Sequence, residues 1–189
     1  MTQQGKNAID LVLAESLIEL SAKKPIDKIT IKEITDKAGV IRPTFYNHFQ
    51  DKYELIEWII KSELLEPIKP LLNAGMIFFL FLLMLNNISA NSVFYKKALK
   101  LEGAVTFNQI AMKCVCEMFM NIISEKSTGK KSKYRWLTPE VISTYYAQSL
   151  CFITEGWIAQ GMDDIEPKEM AEAYMYLITR SMDDILSEL

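Results

Sequence analysis

The stretch "ITIKEITDKAGVIRPTFYNHFQDK", residues 29–52, decides the fold predicted for this chain. Thr30 followed three residues later by Glu33 is a capping-box pattern that opens a helix. Gly39 stands where a helix ends in a left-handed residue, and Pro43, at a first helical position, begins a second short helix. Two short helices joined by a glycine turn predict a helix-turn-helix, although ordinary helical bundles also contain such pairs.

The sequence on either side of this stretch is also helical in pattern. Apolar residues at spacings of three and four predict a first helix over 6–23, and Asp51 caps another that begins at Lys52. Proline, glycine and polar breaks separate further helices over 71–86, 92–100, 104–124, 138–160 and 167–188. Since no segment alternates convincingly with a period of two, we expect an all-α protein of about nine helices. Residues 1–60 form a smaller N-terminal domain and 61–189 a larger helical one.

Composition limits the classes of protein to which the chain can belong. Half of its 189 residues are hydrophobic, which is enough to bury a real core and argues against disorder. The net charge of −3 excludes a uniformly basic surface, so any binding to phosphate must use a local arrangement of donors. Residues 1–62 hold nine basic and nine acidic side chains, so the negative excess lies in the rest of the chain.

The cysteines do not indicate a metal site or a disulfide framework. Cys114, Cys116 and Cys151 are an odd number of thiols in apolar surroundings, which is typical of a reduced cytosolic protein. The single histidine, His48, is far from them in sequence, so a zinc site lacks ligands. We therefore expect no metal and no cofactor.

The apolar run "AGMIFFLFLLML", residues 74–85, raises the question of a membrane. A spanning helix needs about 20 such residues, so this run is better interpreted as a buried helix, at a subunit contact or around an apolar cavity. The N-terminus has polar and acidic residues early and no cleavage site of a secretory signal. A cytoplasmic protein without membrane contact is expected.

The residue string over 29–56, "ITIKEITDKAGVIRPTFYNHFQDKYELI", closely resembles the signature of TetR/AcrR-family transcriptional regulators. In that signature a helix, a G-V turn, a T-x-Y-x-H-F recognition helix and a K-x-x-L follow in this order, and the resemblance covers roughly 8–60. The C-terminal half resembles regulators of dihydroxyacetone kinase operons, through a helix carrying "GW" followed by a "G...P" break. The family resemblance implies that 1–60 is a DNA-binding domain and 61–189 an effector-binding and dimerisation domain.

The resemblance and the chemistry of the side chains together predict eight DNA-contacting residues. Phe45 and Phe49 lie four apart and face inward. Tyr46 and His48 resemble the pair that binds phosphate in the family, and Lys52 adds a charge near the same backbone. The remaining candidates are the base readers Arg42, Thr44 and Asn47, of which Thr44 is equally suited to phosphate, and Thr30 and Lys32, for which a cap and a solvated lysine are equal alternatives.

The larger domain is expected to hold an effector and a partner subunit. The resemblance places the dimer interface on 138–160 and 167–188, whose apolar stripes are wide enough for both core and interface. A pocket for an unknown small-molecule effector is predicted among aromatic and methionine side chains, with plain core packing as the alternative. The predicted pocket residues are Phe78, Phe81, Phe107, Met118, Phe119 and Phe152, with Glu155 as a polar anchor.

These features predict a ligand-responsive dimeric repressor that binds a palindromic double-stranded DNA operator, because one copy makes too few contacts for tight binding. Two rivals are a small-molecule-binding helical protein or enzyme that has lost DNA binding, and a membrane-surface protein. No nucleophile or orienting carboxylate motif accompanies His48, so no enzymatic activity is expected.

Overall fold

The computed structural model describes residues 3–103, 105–126 and 133–188. Within these ranges the chain is helical and contains no strand, as the sequence predicts. The N-terminal region consists of α1 (Gln3–Lys23), a 3-10 turn (Ile26–Lys28), α2 (Ile31–Ala38), α3 (Arg42–Tyr46) and α4 (Lys52–Ile59). Its core is made of fully buried side chains from all four helices, among them Leu13, Leu17, Ile34, Phe45 and Leu55.

The predicted helix boundaries in this region are confirmed by their capping interactions. The Thr30 hydroxyl accepts a hydrogen bond from the Glu33 amide, and the Glu33 carboxylate accepts one from the Thr30 amide at 2.9 Å. Gly39 ends α2 with a φ of 69°, where a side chain would be strained. Asp51 caps α4 by accepting from the amides of Tyr53 and Glu54. Helix α3 ends at Tyr46, whereas the sequence pattern predicts a helix that runs through Phe49.

The helix that begins at Lys52 does not stop at the expected break near Pro67 and Pro70. It continues from α4 through a π-helical segment (Ile60–Leu65) into α5 (Glu66–Asn73). Pro67 lies in the first turn after the π segment, where a missing N–H is tolerated. The helix ends instead around Gly75, whose φ is 71°. The two regions of the molecule are therefore joined by one continuous helix.

The larger region contains α6 (Ile77–Ala90), α7 (Ser92–Ala98), α8 (Phe107–Lys126), α9 (Pro139–Ala159), α10 (Pro167–Thr179) and α11 (Met182–Ser187). Helix α8 packs along α9, and α6 packs along α10. The predicted helix over 167–188 is divided because Arg180 adopts an extended backbone and Ser181 caps a new helix. Within the described ranges the chain therefore forms ten helices, if α4, the π segment and α5 are counted as one, against about nine predicted.

Helix α6 contains most of the apolar run 74–85. Its buried side chains, which include Leu80, Phe81 and Met84, belong to the core of the larger region. Among the described residues, no helix by itself is long and apolar enough to cross a membrane. Helices α6 and α7 meet that criterion only as a pair, and they are bent by 87° relative to each other.

Candidate functional site

The surface of α3 presents four of the predicted DNA-contacting residues together. Arg42, Tyr46 and Asn47 are exposed and Thr44 is half-buried. Beneath them, Phe45 is fully buried and Phe49 nearly so, which confirms their predicted inward position. The rings of these two phenylalanines lie 5.8 Å apart and pack α3 against the core.

Arg42 and Tyr46 are partners on this surface. Arg42 Nη2 donates a hydrogen bond to the Tyr46 hydroxyl at 3.3 Å, and the guanidinium carbon lies 6.0 Å from the centre of the Tyr46 ring. The two residues are four apart on one helix face, which is the spacing at which side chains meet. The pair presents a guanidinium and a phenol side by side.

His48 lies below this surface, although its predicted role is to bind phosphate. Only 2% of its side chain is exposed, and its Nδ1 lies 2.6 Å from Oδ1 of Asp10 on α1. An ionised carboxylate only accepts hydrogen bonds, so the proton of this contact is on Nδ1. The polar contact of the ring in the structure is with α1, and the ring is almost inaccessible to a phosphate.

Lys52 is also bound by the protein itself. Its Nζ donates to the backbone carbonyls of Ile26, Asp27 and Ile29 at 3.0, 2.7 and 3.2 Å. These carbonyls belong to the 3-10 turn between α1 and α2 and to the residue that follows it, and that of Ile26 also accepts from the Ile29 amide at 3.0 Å. Partial burial lowers the pKa of Lys52 from its usual value. The ammonium group ties the start of α4 to this turn.

The two candidates at the start of α2 have partners as well. The Thr30 hydroxyl is part of the capping box, since it also donates to the Glu33 carboxylate at 2.8 Å. Lys32 is exposed and its Nζ lies 3.2 Å from the Asp36 carboxylate, four residues on. An exposed pair of this kind is weak and readily exchanged for another anion. Of the two, Lys32 is the freer to reach outward.

A small cavity of about 40 Å³ lies in the larger region. The open space at its centre admits only a few water-sized molecules. Its lining comes from the π segment and from α6, α7, α8 and α9. Most of the lining residues are apolar: Ile60, Leu64, Leu65, Met84, Ile88, Phe107, Ala111, Val115, Leu150, Cys151 and Ile158, with Tyr95, Thr154 and Glu155 as the polar members.

Two of the seven predicted pocket residues, Phe107 and Glu155, line this cavity. The other five lie elsewhere, because apolar residues at helical spacing fill the core and the outer surface as well as a cavity. Their positions are as follows: Phe81 is buried with its ring 4.5 Å from that of Tyr174, Phe78 is half-buried on α6, Met118 lines an outer groove beside α5, Phe119 lies 6.0 Å from the Tyr146 ring, and Phe152 is exposed.

The polar lining residues Tyr95 and Thr154 were not anticipated. Neither hydroxyl has a hydrogen-bond partner among the described residues, and both oxygens are buried. Burial, together with the nearby Glu63 carboxylate, raises the pKa of Tyr95 well above its usual value. Glu155 differs, because both its carboxylate oxygens accept from the Asn108 amide at 2.8 Å. The sequence signal for Tyr95 is a tyrosine in a short apolar helix, which also fits ordinary core.

Four charged side chains join α8 to the helix that leads out of the N-terminal region, residues 3–59, which we call the head. Glu57 on α4 pairs with Lys61 at 2.7 Å and with Lys113 on α8 at 2.8 Å, and Lys61 also pairs with Glu117 on α8 at 2.7 Å. Burial lowers the pKa of Lys61, but hydrogen bonds to Glu117 and Glu57 outweigh it and leave that pKa raised. These ion pairs therefore connect α8 to α4 and to the start of the π segment.

The thiols and acidic groups form no metal centre in the described ranges, where no three His, Cys, Asp or Glu side chains are grouped to hold an ion. Cys114 and Cys151 are buried, and burial raises the pKa of each to about 12. Cys116 is less buried and its pKa is raised less far. All three are free thiols.

Comparison with known proteins follows the same division of the chain. A family model described as "Bacterial regulatory proteins, tetR family" matches residues 15–59. A second, described as "Transcriptional regulator C-terminal region", matches residues 77–180, which is more than half of the chain. The first match covers the helix-turn-helix and the second covers most of the cavity lining.

Individual relatives support these matches. The chain is 27% identical over 156 residues, 79% of each chain, to the HTH-type dhaKLM operon transcriptional activator DhaS of Lactococcus lactis. It is similar to the solved structure of a dihydroxyacetone kinase operon activator DhaS, with a TM-score of 0.55, 21% identity and 95% of both chains covered. It is also similar to NalD, the secondary repressor of the MexAB-OprM multidrug efflux pump in Pseudomonas aeruginosa, with a TM-score of 0.57, 14% identity, and 90% and 94% of the chains covered.

Proposed function

Because the chain belongs to the TetR family of bacterial transcriptional regulators, we propose that it is a ligand-responsive dimer that binds a palindromic operator through the surface of α3. The observation that carries this proposal is the grouping of Arg42, Thr44, Tyr46 and Asn47 on one outward surface above buried Phe45. A short helix held from below in this way is suited to enter a major groove.

The chemistry of these side chains supports distinct roles on DNA. Arg42 suits guanine O6 and N7, and Asn47 suits adenine N6 and N7. Thr44 offers a methyl group to thymine or a hydroxyl to phosphate, and the Tyr46 phenol and Lys32 suit phosphate. His48 and Lys52 support binding chiefly through protein contacts that hold α3 and α4 in place, and any phosphate contact by them, or by Thr30, adds to that role.

The proposed dimer interface lies on α9, α10 and α11, within the predicted ranges 138–160 and 167–188. Tyr145, Phe152, Ile178 and Met182 are large side chains that are exposed in the single chain, with 77% of Phe152 and 75% of Met182 accessible. Large apolar side chains clustered on one surface are typical of subunit contacts. Two copies related by a twofold axis would read half-sites about 34 Å apart.

The effector is proposed to act by shifting the population of head orientations. A ligand in the cavity touches the π segment, which continues directly into α4, and the ion pairs of Lys61 couple the same helix to α8. The predicted repression remains a prediction, since the relatives named above include an activator and a repressor. We also propose that the protein is cytoplasmic and that it has no enzymatic activity.

A fluorescence-anisotropy titration against the intergenic DNA that flanks the protein's own gene tests this function. We expect saturable binding that withstands competitor DNA and is lost in an Arg42→Ala, Asn47→Ala double variant. A Lys28→Ala variant, altered at an exposed head lysine away from α3, serves as the matched control and should bind as the wild type does. Binding equal to that of unrelated DNA would favour a helical ligand-binding protein that has lost its operator.

A further inference from the structure

The cavity in the larger region has an unusual balance of polar groups. It contains two buried hydroxyls, those of Tyr95 and Thr154, that lack hydrogen-bond partners among the described residues. Buried polar groups are nearly always paired, and an unpaired one is destabilising. Two in the wall of one cavity indicate that their partner is a molecule that enters it.

The charges around the cavity limit what that molecule can be. No Lys, Arg or His among the residues that the structure describes lines the cavity, so a carboxylate or phosphate would be buried there without a counter-charge. Glu155 is the charged lining residue, and both its oxygens already accept from the Asn108 amide. A cation is therefore not required to satisfy it. The remaining wall is almost wholly apolar.

From these contacts we propose that the effector is a small, uncharged, mostly apolar molecule with one hydroxyl or carbonyl oxygen, which hydrogen-bonds to Tyr95 and Thr154. This proposal rests on the proposed regulatory function and names the effector class of that function. A hydroxyl donates to one of the two groups and accepts from the other, whereas a carbonyl accepts from both. The open space of about 40 Å³ is smaller than a benzene ring needs, so the lining side chains must move apart as the molecule enters, and a slim or planar molecule requires the least movement.

The positions of the two hydroxyls indicate how binding of the effector could affect the head. Tyr95 belongs to α7 and Thr154 to α9, so one oxygen bound between them joins two helices that pack against each other. Ile60, Leu64 and Leu65 of the π segment, which continues into the head, also line the cavity. A ligand held by its oxygen between α7 and α9 therefore also contacts the helix that leads to the head.

A matched series of probes tests the proposal: phenol, toluene, benzoate and benzylammonium share one ring and differ in the polar group. Binding is measured by titration of the full-length protein labelled with ¹³C at methionine methyl groups. Met84 lines the cavity, and its signal is assigned with a Met84→Leu variant. Phenol is expected to bind with a dissociation constant about fivefold lower than that of toluene, as one net hydrogen bond provides.

Variants separate the hydroxyls from the shape of the cavity. Tyr95→Phe and Thr154→Val should each reduce phenol affinity by about fivefold and leave toluene affinity unchanged, because only an oxygen contact is removed. Tyr134→Phe, which changes an exposed tyrosine outside both the cavity and the proposed dimer interface, is the matched control. Thermal unfolding of each variant is recorded, and both cavity variants should fold at least as stably as the wild type.

Three results would each overturn the proposal. They are tighter binding of benzoate or benzylammonium than of phenol, an equal loss of affinity for phenol and for toluene in the variants, and no shift of the Met84 signal with any probe. Operator binding is measured on the same samples without a probe. Operator binding without probe binding refutes the effector class and leaves the regulatory function standing. Probe binding without operator binding would support the effector class and refute the regulatory function.

Discussion

His48 Nδ1 and Asp10 Oδ1 lie 2.6 Å apart, and this contact fastens the end of the recognition segment to α1. The imidazole is almost completely buried, so the carboxylate is the partner that water cannot readily replace. The contact joins residues 38 positions apart in sequence. We expect this contact to help fix the orientation of α3 relative to α1.

A double-mutant cycle measures this contact. His48→Ala and Asp10→Ala should each lower the free energy of unfolding by about 1–3 kcal/mol, and the double variant by much less than their sum. Urea denaturation followed by circular dichroism gives the three values. Additive losses would show that the two side chains act independently. Asp10→Asn, which keeps an acceptor oxygen, is the conservative control and should lose less.

The three carbonyl contacts of Lys52 predict a structural role that a salt titration distinguishes from phosphate binding. Lys52→Met keeps the aliphatic stem and should cost about 2 kcal/mol of unfolding free energy. The dependence of operator affinity on salt should remain unchanged, because the loss of a direct phosphate contact would reduce that slope by about one for each subunit of the dimer. Lys32→Met is the comparison: we expect it to reduce the slope and to leave stability nearly unaltered. The opposite pattern would return Lys52 to the phosphate-binding residues.

Arg42 is expected to read bases. Arg42→Ala should weaken operator binding by about 1–3 kcal/mol, with the loss confined to certain base pairs, because a bidentate contact to guanine is lost. Anisotropy titrations against operators with single base-pair changes provide the measurement. Tyr46→Phe, which removes the hydroxyl that Arg42 contacts, should weaken binding to all operator sequences by the same factor. A uniform loss in Arg42→Ala would assign Arg42 to the phosphate backbone.

The exposed position of Phe152 predicts its importance to the dimer. Phe152→Glu should shift the sedimentation coefficient in analytical ultracentrifugation from that of a dimer to that of a monomer, since a buried unpaired charge is costly at an interface. Phe152→Leu keeps an apolar side chain and should remain dimeric. An unchanged dimer in Phe152→Glu would place the interface away from this part of α9.

Thiol reactivity reports on burial and on the cavity. With a pKa of about 12, Cys114 and Cys151 hold almost no thiolate at pH 8, and both are inaccessible. Iodoacetamide followed by mass spectrometry should therefore modify Cys116 first. Urea at unfolding concentrations should equalise the three rates. Fast modification of Cys151 in native protein would mean that the cavity opens often.

The sequence predicts the head well and the larger region less well, for a physical reason. Capping at Thr30, termination at Gly39 and burial of Phe45 each depend on local interactions that residue type and spacing determine. The π segment, the passage of the helix through Pro67 and the break at Arg180 depend on packing between helices. For the same reason, the partners of His48 and Lys52 were not anticipated, since both contacts join residues distant in sequence.

Dependence on packing between helices also explains why most of the predicted pocket residues do not line the cavity. Phe107 and Phe81 are equivalent in sequence terms, yet one lines the cavity and the other packs against Tyr174. Which aromatic residue faces open space depends on the relative rotation of several helices. The polar residues Tyr95 and Thr154 are distinguished only by a missing partner, and a missing partner is visible only in three dimensions.

The π segment over Ile60–Leu65 has a consequence for how a signal travels. A π turn holds one residue more than an α turn per hydrogen-bonded loop, so its relaxation to α geometry would rotate whatever follows by about 100°. The segment that lines the cavity and the helix that belongs to the head are thus two parts of the same continuous helix. A molecule that shifts the π segment toward α geometry would rotate the head directly.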